Sequence, residues 1–308
     1  MKGPLFYAKI LLFGEYGIIK DSKGLAIPFN SYKGALKSAT TLTGEALKSN
    51  KSLYNFYHYL QGIEIDGVSF DFSSLQADIE NGMYFDSSIP QGYGVGSSGA
   101  LVASIYDKYA NNKITVLENL TRDKLLSLKH IFSQMESFFH GKSSGLDPLN
   151  SYLSIPILIN SKENIEATGI PSQKEGKGAV FLLDSEQIGE TEPMVNIFMN
   201  KMKNEGFRKM ISEEFSAHTD ACIEDFLQGN IKSLFHNVKM LSKVVLTNFK
   251  PMIPQPFHKV WEKGIQTNDY YLKLCGSGGG GYILGFTEDY DKAKKSLQDY
   301  RLELVYRF

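Results

Sequence analysis

Residues 90–104 read "PQGYGVGSSGALVAS". Four glycines and a pair of serines come directly before an apolar run, so a loop that is costly to order opens onto a helix predicted over residues 98–110. The first four N–H groups of a helix have no partner within it, and the helix dipole puts partial positive charge at that end. A loop without bulky side chains lets backbone amides close around an anion there. The stretch therefore reads as a phosphate cradle, with a plain turn ahead of a helix as the alternative for the loop taken alone. It is not the standard P-loop, because no lysine follows its last glycine. Nor does it open a βαβ unit with an acidic residue about 20 positions on, which argues against a dinucleotide fingerprint.

The chain has 308 residues, enough for two domains with cores of their own. Apolar content of 42% and charged content of 22% are ordinary for a globular protein, and a net charge of -1 offers nothing to a nucleic acid or an anionic membrane. Cys222 and Cys275 are far apart and form no CxxC pair, which speaks against a disulfide framework or a zinc site. No run of about 18 apolar residues occurs, so no membrane span is expected. The opening "MKGPLFYAKILLFGEYG" does not read as a signal peptide, since Lys9 interrupts the apolar run and no small-residue cleavage site closes it. It reads as a buried strand, and the expected compartment is the cytoplasm.

Outward from the glycine loop, "FYAKILLFGEYGII" is a β-rich run broken at Gly14, and "KGLAIPF" is a second short strand. Residues 52–72 alternate enough to suggest strands with turns at Gly62 and Gly67. The clearest helix is "TRDKLLSLKHIFSQMESFFHG", where Leu125, Leu128, Phe132, Met135 and Phe139 recur at helical spacing and Gly141 ends the run. "LSIPILINSKENIEAT" reads as a hairpin, and the polar stretch 170–178 as a boundary between domains 1–176 and 177–308. Beyond it come the strand "AVFLLDS", helices near 192–204, 212–228, 231–248 and 288–299, and a second glycine cluster, "LCGSGGGGYILGF". Strands first, helices next and strands again late favour an α+β protein.

Three stretches resemble the signatures of the GHMP kinases, in that family's order and spacing. "PQGYGVGSSGA" is similar to PxxxGLGSSAA, "KLCGSGGGGYILGF" (residues 273–286) to KLTGAGGGGCAIA, and "AKILLFGEYGII" (residues 8–19) to GKxxLxGEHAVV. The resemblance implies a two-domain α+β fold, with a ribosomal-protein-like N-terminal domain and a ferredoxin-like C-terminal domain. It also implies an ATP-dependent kinase of small alcohols. The nucleotide loop would be Pro90, Gly94, Val95, Gly96, Ser97, Ser98 and Gly99. "HGKSSGLD" (residues 140–147) resembles the HGxPSGxD segment of the mevalonate kinase branch, which makes mevalonate the expected acceptor.

On that resemblance Asp147 and Lys9 form the activating pair. The aspartate orients the acceptor hydroxyl and takes its proton, and the lysine stabilises the developing alkoxide. Ser98 and Glu136 would share a Mg²⁺ ion bound with ATP, Glu136 standing eleven positions before Asp147 on the polar side of its helix. Glu15, Gly145, Thr191, Gly278 and Gly279 take substrate-side positions. His140, at the end of a helix, is given a structural role, and Cys275 is read as a small space-filler. Three departures bear on the acceptor: "GEY" at 14–16 replaces GEH, Gly189 stands where an arginine is usual although Thr191 is retained, and "LTNFKPMIP" lacks an NHxLL pattern. A phosphomevalonate, homoserine or sugar kinase is the alternative. A non-catalytic regulator on the same fold is disfavoured by the presence of Lys9, Ser98, Glu136 and Asp147. The sequence does not give the oligomeric state, a homodimer being one option.

Overall fold

The structure, a computed structural model, describes residues 4–20, 22–115, 119–173 and 175–308; Lys174, within the polar stretch 170–178, lies outside them. In chain order the elements are β1 (Phe6–Phe13), β2 (Gly24–Ser38), α1 (Gly44–Gln61), β3 (Ser69–Phe70), α2 (Phe72–Glu80), β4 (Met83–Ser87), α3 (Ser97–Tyr109), β5 (Ala110–Asn111), α4 (Arg122–His140), α5 (Leu146–Leu153), β6 (Ile157–Ser161), β7 (Asn164–Ala167), β8 (Ala179–Asp184), α6 (Thr191–Lys201), α7 (Glu205–Met210), α8 (Ser216–Gln228), α9 (Ile231–Asn248), α10 (Phe257–Thr267), β9 (Tyr271–Leu274), β10 (Tyr282–Thr287), α11 (Tyr290–Ser296) and β11 (Leu302–Arg307). This is an α+β order, with strands early and late. The chain makes two compact units, each drawn from several segments. Met1–Lys9, Ile27–Gln91 and Gly96–Ile155 form the first; Ile10–Ala26, Gly92–Val95 and Pro156–Phe308 form the second.

In the first unit, α4 follows its sequence signals. Thr121 accepts a hydrogen bond from the amide of Lys124 at the start, and Gly141, at φ +67°, ends the helix. Leu125, Leu128, Phe132 and Met135 are buried as their spacing requires. α3 is buried continuously from Gly99 to Tyr106, which only a run rich in small residues allows. Tyr106 anchors it, with its ring edge-on to Phe132 at 5.0 Å and to Tyr152 at 5.2 Å; a fully buried side chain of this size stabilises the unit by roughly 1.5–3 kcal/mol. β4 pairs antiparallel with the far half of β2, from Gly34 opposite Ser87 to Ser38 opposite Met83.

One expectation fails here. Residues 52–61 are the end of α1 rather than strand. Leu53, Phe56, Tyr57 and Leu60 are its buried residues, spaced i, i+3, i+4, i+7, so a helical period lay beneath the β-forming aromatics. α2, α5, α10 and β4 also stand where no element was predicted, and β2 runs nine residues past "KGLAIPF" into a largely exposed half.

In the second unit, β11-β8-β10-β9 form an antiparallel four-stranded sheet. β8 is buried from Ala179 to Leu183, the continuous apolar run expected of a central strand. Phe13 stacks on Phe286 at 5.3 Å and meets Phe226 edge-on at 6.5 Å. The predicted hairpin is β6–β7, and β6 pairs with the first residues of β2. A single π turn, Ile211–Phe215, leads into α8.

Candidate active site

The site of the first unit is assembled through glycines. α3 starts at Gly96, a left-handed N-cap with φ +82° and no side-chain cap. A Cβ there would lie 3.0 Å from Lys9 Cγ and 3.7 Å from Asp147 Oδ2, so both conformation and space call for glycine. One turn on, a Cβ at Gly99 would lie 2.7 Å from both the carbonyl carbon of Asp147 and the nitrogen of Pro148. α5 starts at Gly145, also left-handed at φ +72°, where a Cβ would lie 2.1 Å from the Lys129 carbonyl oxygen of α4. These contacts hold Asp147 in the first turn of α5, where the helix dipole favours a carboxylate.

Lys9 Nζ lies 3.0 Å from Asp147 Oδ1. The lysine side chain is 6% exposed and the aspartate 33%. A buried ammonium requires an opposite charge, and Asp147 supplies it while keeping a face open. The pair therefore has one enclosed member and one that a reactant can touch.

Glu136, read from sequence on the polar side of α4, is buried there, at 3% exposure. Its carboxylate accepts hydrogen bonds from Ser98 Oγ, at 2.9 Å, and from Ser143 Oγ. Burial, and after it the charge of Asp147, pushes Glu136 up to about 8, against the pull of the two serines and Lys9. Ser98 lies in the first turn of α3 and is not its cap, since Gly96 holds that position. The Ser98 hydroxyl also lies 3.0 Å from Nε2 of His140, which is exposed at the end of α4. A buried carboxylate driven towards its neutral form, lined by hydroxyls, is a donor set that a hard cation suits. Among the described residues no group of three or more His, Cys, Asp and Glu side chains could hold a metal. Ser98 and Glu136 would therefore hold Mg²⁺ only together with oxygens of a phosphate ligand.

Pro90 and Ser97 also belong to the first unit, Ser97 as the first residue of α3; the second unit contains Glu15, Gly94, Val95, Thr191, Gly278 and Gly279. Glu15 is buried and ion-paired with Lys273, whose ammonium also donates to the Leu274 carbonyl at 2.9 Å. Tyr16, at φ +61°, packs its ring on Phe198 at 4.7 Å and donates from its hydroxyl to the Ser277 carbonyl at 2.6 Å. Gly278 and Gly279 are both left-handed, but the close approach they allow is to the protein itself: a Cβ would lie 2.6 Å from the Met252 carbonyl at Gly278 and 2.8 Å from Met194 Sδ at Gly279. Thr191, at the start of α6, accepts a 3.4 Å hydrogen bond from Ser277. Gly94 lies against the Cys275 carbonyl, where a Cβ would come within 2.6 Å, and Val95 is fully buried. Gly189 is explained by its surroundings. Its amide donates to the Gly92 carbonyl, and a Cβ would lie 3.0 Å from the Gly278 carbonyl, which leaves little room for an arginine.

Sequence reasoning brings together Lys9, Gly96, Ser98, Glu136, Gly145 and Asp147, and the first unit places them side by side. It missed Ser143 and Lys273, and it did not join His140 to Ser98. Lys273 carried a signal, being a lone charge in the apolar strand "YYLKL". Ser143 carried none beyond its place seven residues after Glu136.

Residues 55–154 match the family model "GHMP kinases N terminal domain". No curated protein sequence matches the chain significantly. Among solved structures, the chain is similar to mevalonate kinase from L. major in complex with R-mevalonate, at 15% identity and TM-score 0.64 over 100% of this chain and 99% of that one. It is similar to Methanococcus jannaschii mevalonate kinase, at 16% identity and TM-score 0.60 over 99% and 98%. Phosphomevalonate kinase from Streptococcus pneumoniae, in complex with phosphomevalonate and AMPPNP, gives 14% identity and TM-score 0.62 over 98% of each chain. Residues 55–154, which include the glycine-started helices α3 and α5, thus match the N-terminal domain model of the GHMP kinases, and the chain shares its fold, along its whole length, with solved mevalonate and phosphomevalonate kinases.

Proposed function

We propose that the protein is a cytoplasmic ATP-dependent kinase that phosphorylates the primary hydroxyl of mevalonate, giving 5-phosphomevalonate for isoprenoid precursor synthesis. One observation carries the proposal: an ion pair, Lys9–Asp147 at 3.0 Å, directly beside the uncapped left-handed start of α3. That juxtaposition puts a base, its countercharge and an anion-seeking helix terminus in one place. The acceptor hydroxyl attacks the γ-phosphorus of ATP, the bond to the bridging oxygen breaks, and ADP leaves. Asp147 aligns the hydroxyl and takes its proton, which passes to solvent after release. Lys9 stabilises the alkoxide character that develops on the attacking oxygen. Amides at the start of α3 hold phosphate oxygens, leaving most of the acceleration to positioning and electrostatics. Ser98 and Glu136 would hold a Mg²⁺ ion arriving with ATP, which would supply charge neutralisation of the triphosphate.

Mevalonate is favoured by "HGKSSGLD" around Asp147, and the similarity to a mevalonate kinase with bound R-mevalonate supports it. Phosphomevalonate is the second reading, favoured by Tyr16 in "GEY" and by the crowded Gly189. A coupled ADP-release assay across mevalonate, phosphomevalonate, homoserine and galactose separates them. Asp147→Asn keeps the side-chain shape and removes the base, so kcat should fall by roughly 10²-fold or more while ATP affinity stays near normal. A near-wild-type kcat in this variant refutes the mechanism, and activity on phosphomevalonate alone moves the assignment to the second reading.

A further inference from the structure

Ser98 has one hydroxyl proton and two partners. Glu136 Oε1 lies 2.9 Å from its oxygen on one side and His140 Nε2 lies 3.0 Å away on the other. In this arrangement Ser98 donates to Glu136, so the imidazole must present an N–H to the serine oxygen. A cation shared by Ser98 and Glu136 upsets that arrangement. The serine oxygen must then turn a lone pair to the cation, and its proton can no longer point at a carboxylate engaged on the same ion. Among the partners that the described residues give Ser98, His140 Nε2 is the acceptor left. We propose that His140 is a positioning residue: in its other neutral tautomer it takes the Ser98 hydrogen bond and so aims the serine oxygen at the cation. This rests on the assignment of Ser98 and Glu136 as cation ligands, and it gives the exposed end of α4 a task that a helix terminus alone does not require.

The ring makes no other hydrogen bond among the described contacts, its tilted contact with the Phe139 ring spans 6.4 Å between centroids, and the residue is exposed. Removing the outer partner of a metal ligand typically weakens metal binding by about 10- to 100-fold. A hydroxyl ligand is weaker than a carboxylate, so the lower end of that range applies.

The test measures Mn²⁺ binding by electron paramagnetic resonance of the free ion, with a non-hydrolysable ATP analogue present and no turnover. His140→Phe, which keeps a ring and loses the nitrogen, should raise the Mn²⁺ dissociation constant by about 10-fold. His140→Gln, whose amide oxygen reaches the position of Nε2, should restore most of the affinity. In a Ser98→Ala background His140→Phe should add nothing, because its effect passes through Ser98. An undiminished effect in that background, or equal affinities for the Phe and Gln variants, overturns the proposal. Glu136→Gln distinguishes the two levels. If it weakens Mn²⁺ binding while His140→Phe does not, only the role of His140 is lost; if it leaves Mn²⁺ binding unchanged, the cation site and the proposal resting on it fall together.

Discussion

Replacing Gly99 by alanine sets two effects of opposite sign against each other. Gly99 lies inside α3, where alanine gains about 0.8–1 kcal/mol of helix propensity over glycine. Its φ is not in the left-handed region, so the backbone itself accepts the change. The added methyl group, however, would lie 2.7 Å from the carbonyl carbon of Asp147 and from the nitrogen of Pro148, and 2.9 Å from Asp147 Cβ. Ordinary contact begins near 3.4 Å, so α5 must retreat by about 0.7 Å, and the obstructing atoms are backbone that cannot rotate aside. Overpacking of this kind costs about 1–3 kcal/mol, so it outweighs the propensity gain by up to about 2 kcal/mol. The retreat carries Asp147 away from the start of α3, and a misplacement approaching 1 Å can lower a rate by about 10²-fold. Urea denaturation should therefore show a small loss of stability, and steady-state kinetics a loss of kcat of about 10- to 100-fold, out of proportion to it. A variant that gains stability and keeps full kcat would show that α3 and α5 tolerate separation and that their contact does not place Asp147.

Lys273→Met leaves Glu15 buried without its countercharge and should destabilise the protein by about 3–5 kcal/mol; adding Glu15→Gln should recover much of the loss, and an additive double variant in urea denaturation would contradict the pairing. Tyr16→Phe removes the hydrogen bond to the Ser277 carbonyl but keeps the ring on Phe198, so a loss of about 1 kcal/mol is expected. Hydrogen exchange should report that loss in the glycine stretch after β9, and unchanged protection there would remove Tyr16 as its tether. Burial pushes the Asp269 carboxyl up, but hydrogen bonds from Lys292 and Ser296 outweigh it and hold the group below its ordinary value. A carboxyl lowered on folding contributes stability that is present above its unfolded value near 3.9 and is lost as pH falls through the folded one. Asp269→Asn should accordingly be less stable than wild type at pH 7, with the gap closing below about pH 4; a gap independent of pH would contradict this.

The parts of the site legible in sequence were those in which a residue type has few alternative uses. The left-handed glycine at 96 can be replaced by little else, and the glycine cluster around it marked the start of α3; Gly145, left-handed too, starts a helix that was not predicted and was placed only through the resemblance of "HGKSSGLD". α4 was legible because a cap, a period and a closing glycine agreed. α1 was misread because Tyr54, Phe56, Tyr57 and Tyr59 favour strands locally while burial of Leu53, Phe56, Tyr57 and Leu60 decides the matter. The burial of Glu136 was hidden for a related reason. A helical wheel treats a carboxylate as a solvated face, and only the arrival of Ser98 from α3 and Ser143 from beyond the helix end makes enclosure tolerable. The tight seat of Gly189 was out of reach as well, since it depends on the carbonyl of a glycine nearly ninety positions on, Gly278.

Asp147 and Glu136 are set apart by their surroundings, and that difference supports the separate roles proposed for them. Both stand near Lys9, yet Lys9 Nζ lies on Asp147, while Glu136 receives two hydroxyls and no ammonium at hydrogen-bond distance. Asp147 keeps a third of its side chain open and so can meet a reactant; Glu136 is enclosed and cannot. A proton acceptor must touch the group it deprotonates, which excludes Glu136 from that task. Holding a cation, the role proposed for Glu136 with Ser98, calls for hard oxygens, which both side chains supply. Burial holds Glu136 towards its neutral form, so Lys9 and Asp147 balance each other and negative charge builds up in the pocket only when Glu136 ionises. On the proposed reading, a divalent cation arriving with a triphosphate would favour that ionised form, and the uncapped start of α3 would offer its amides to the phosphate oxygens. That reading therefore favours a metal–nucleotide complex over a free nucleotide.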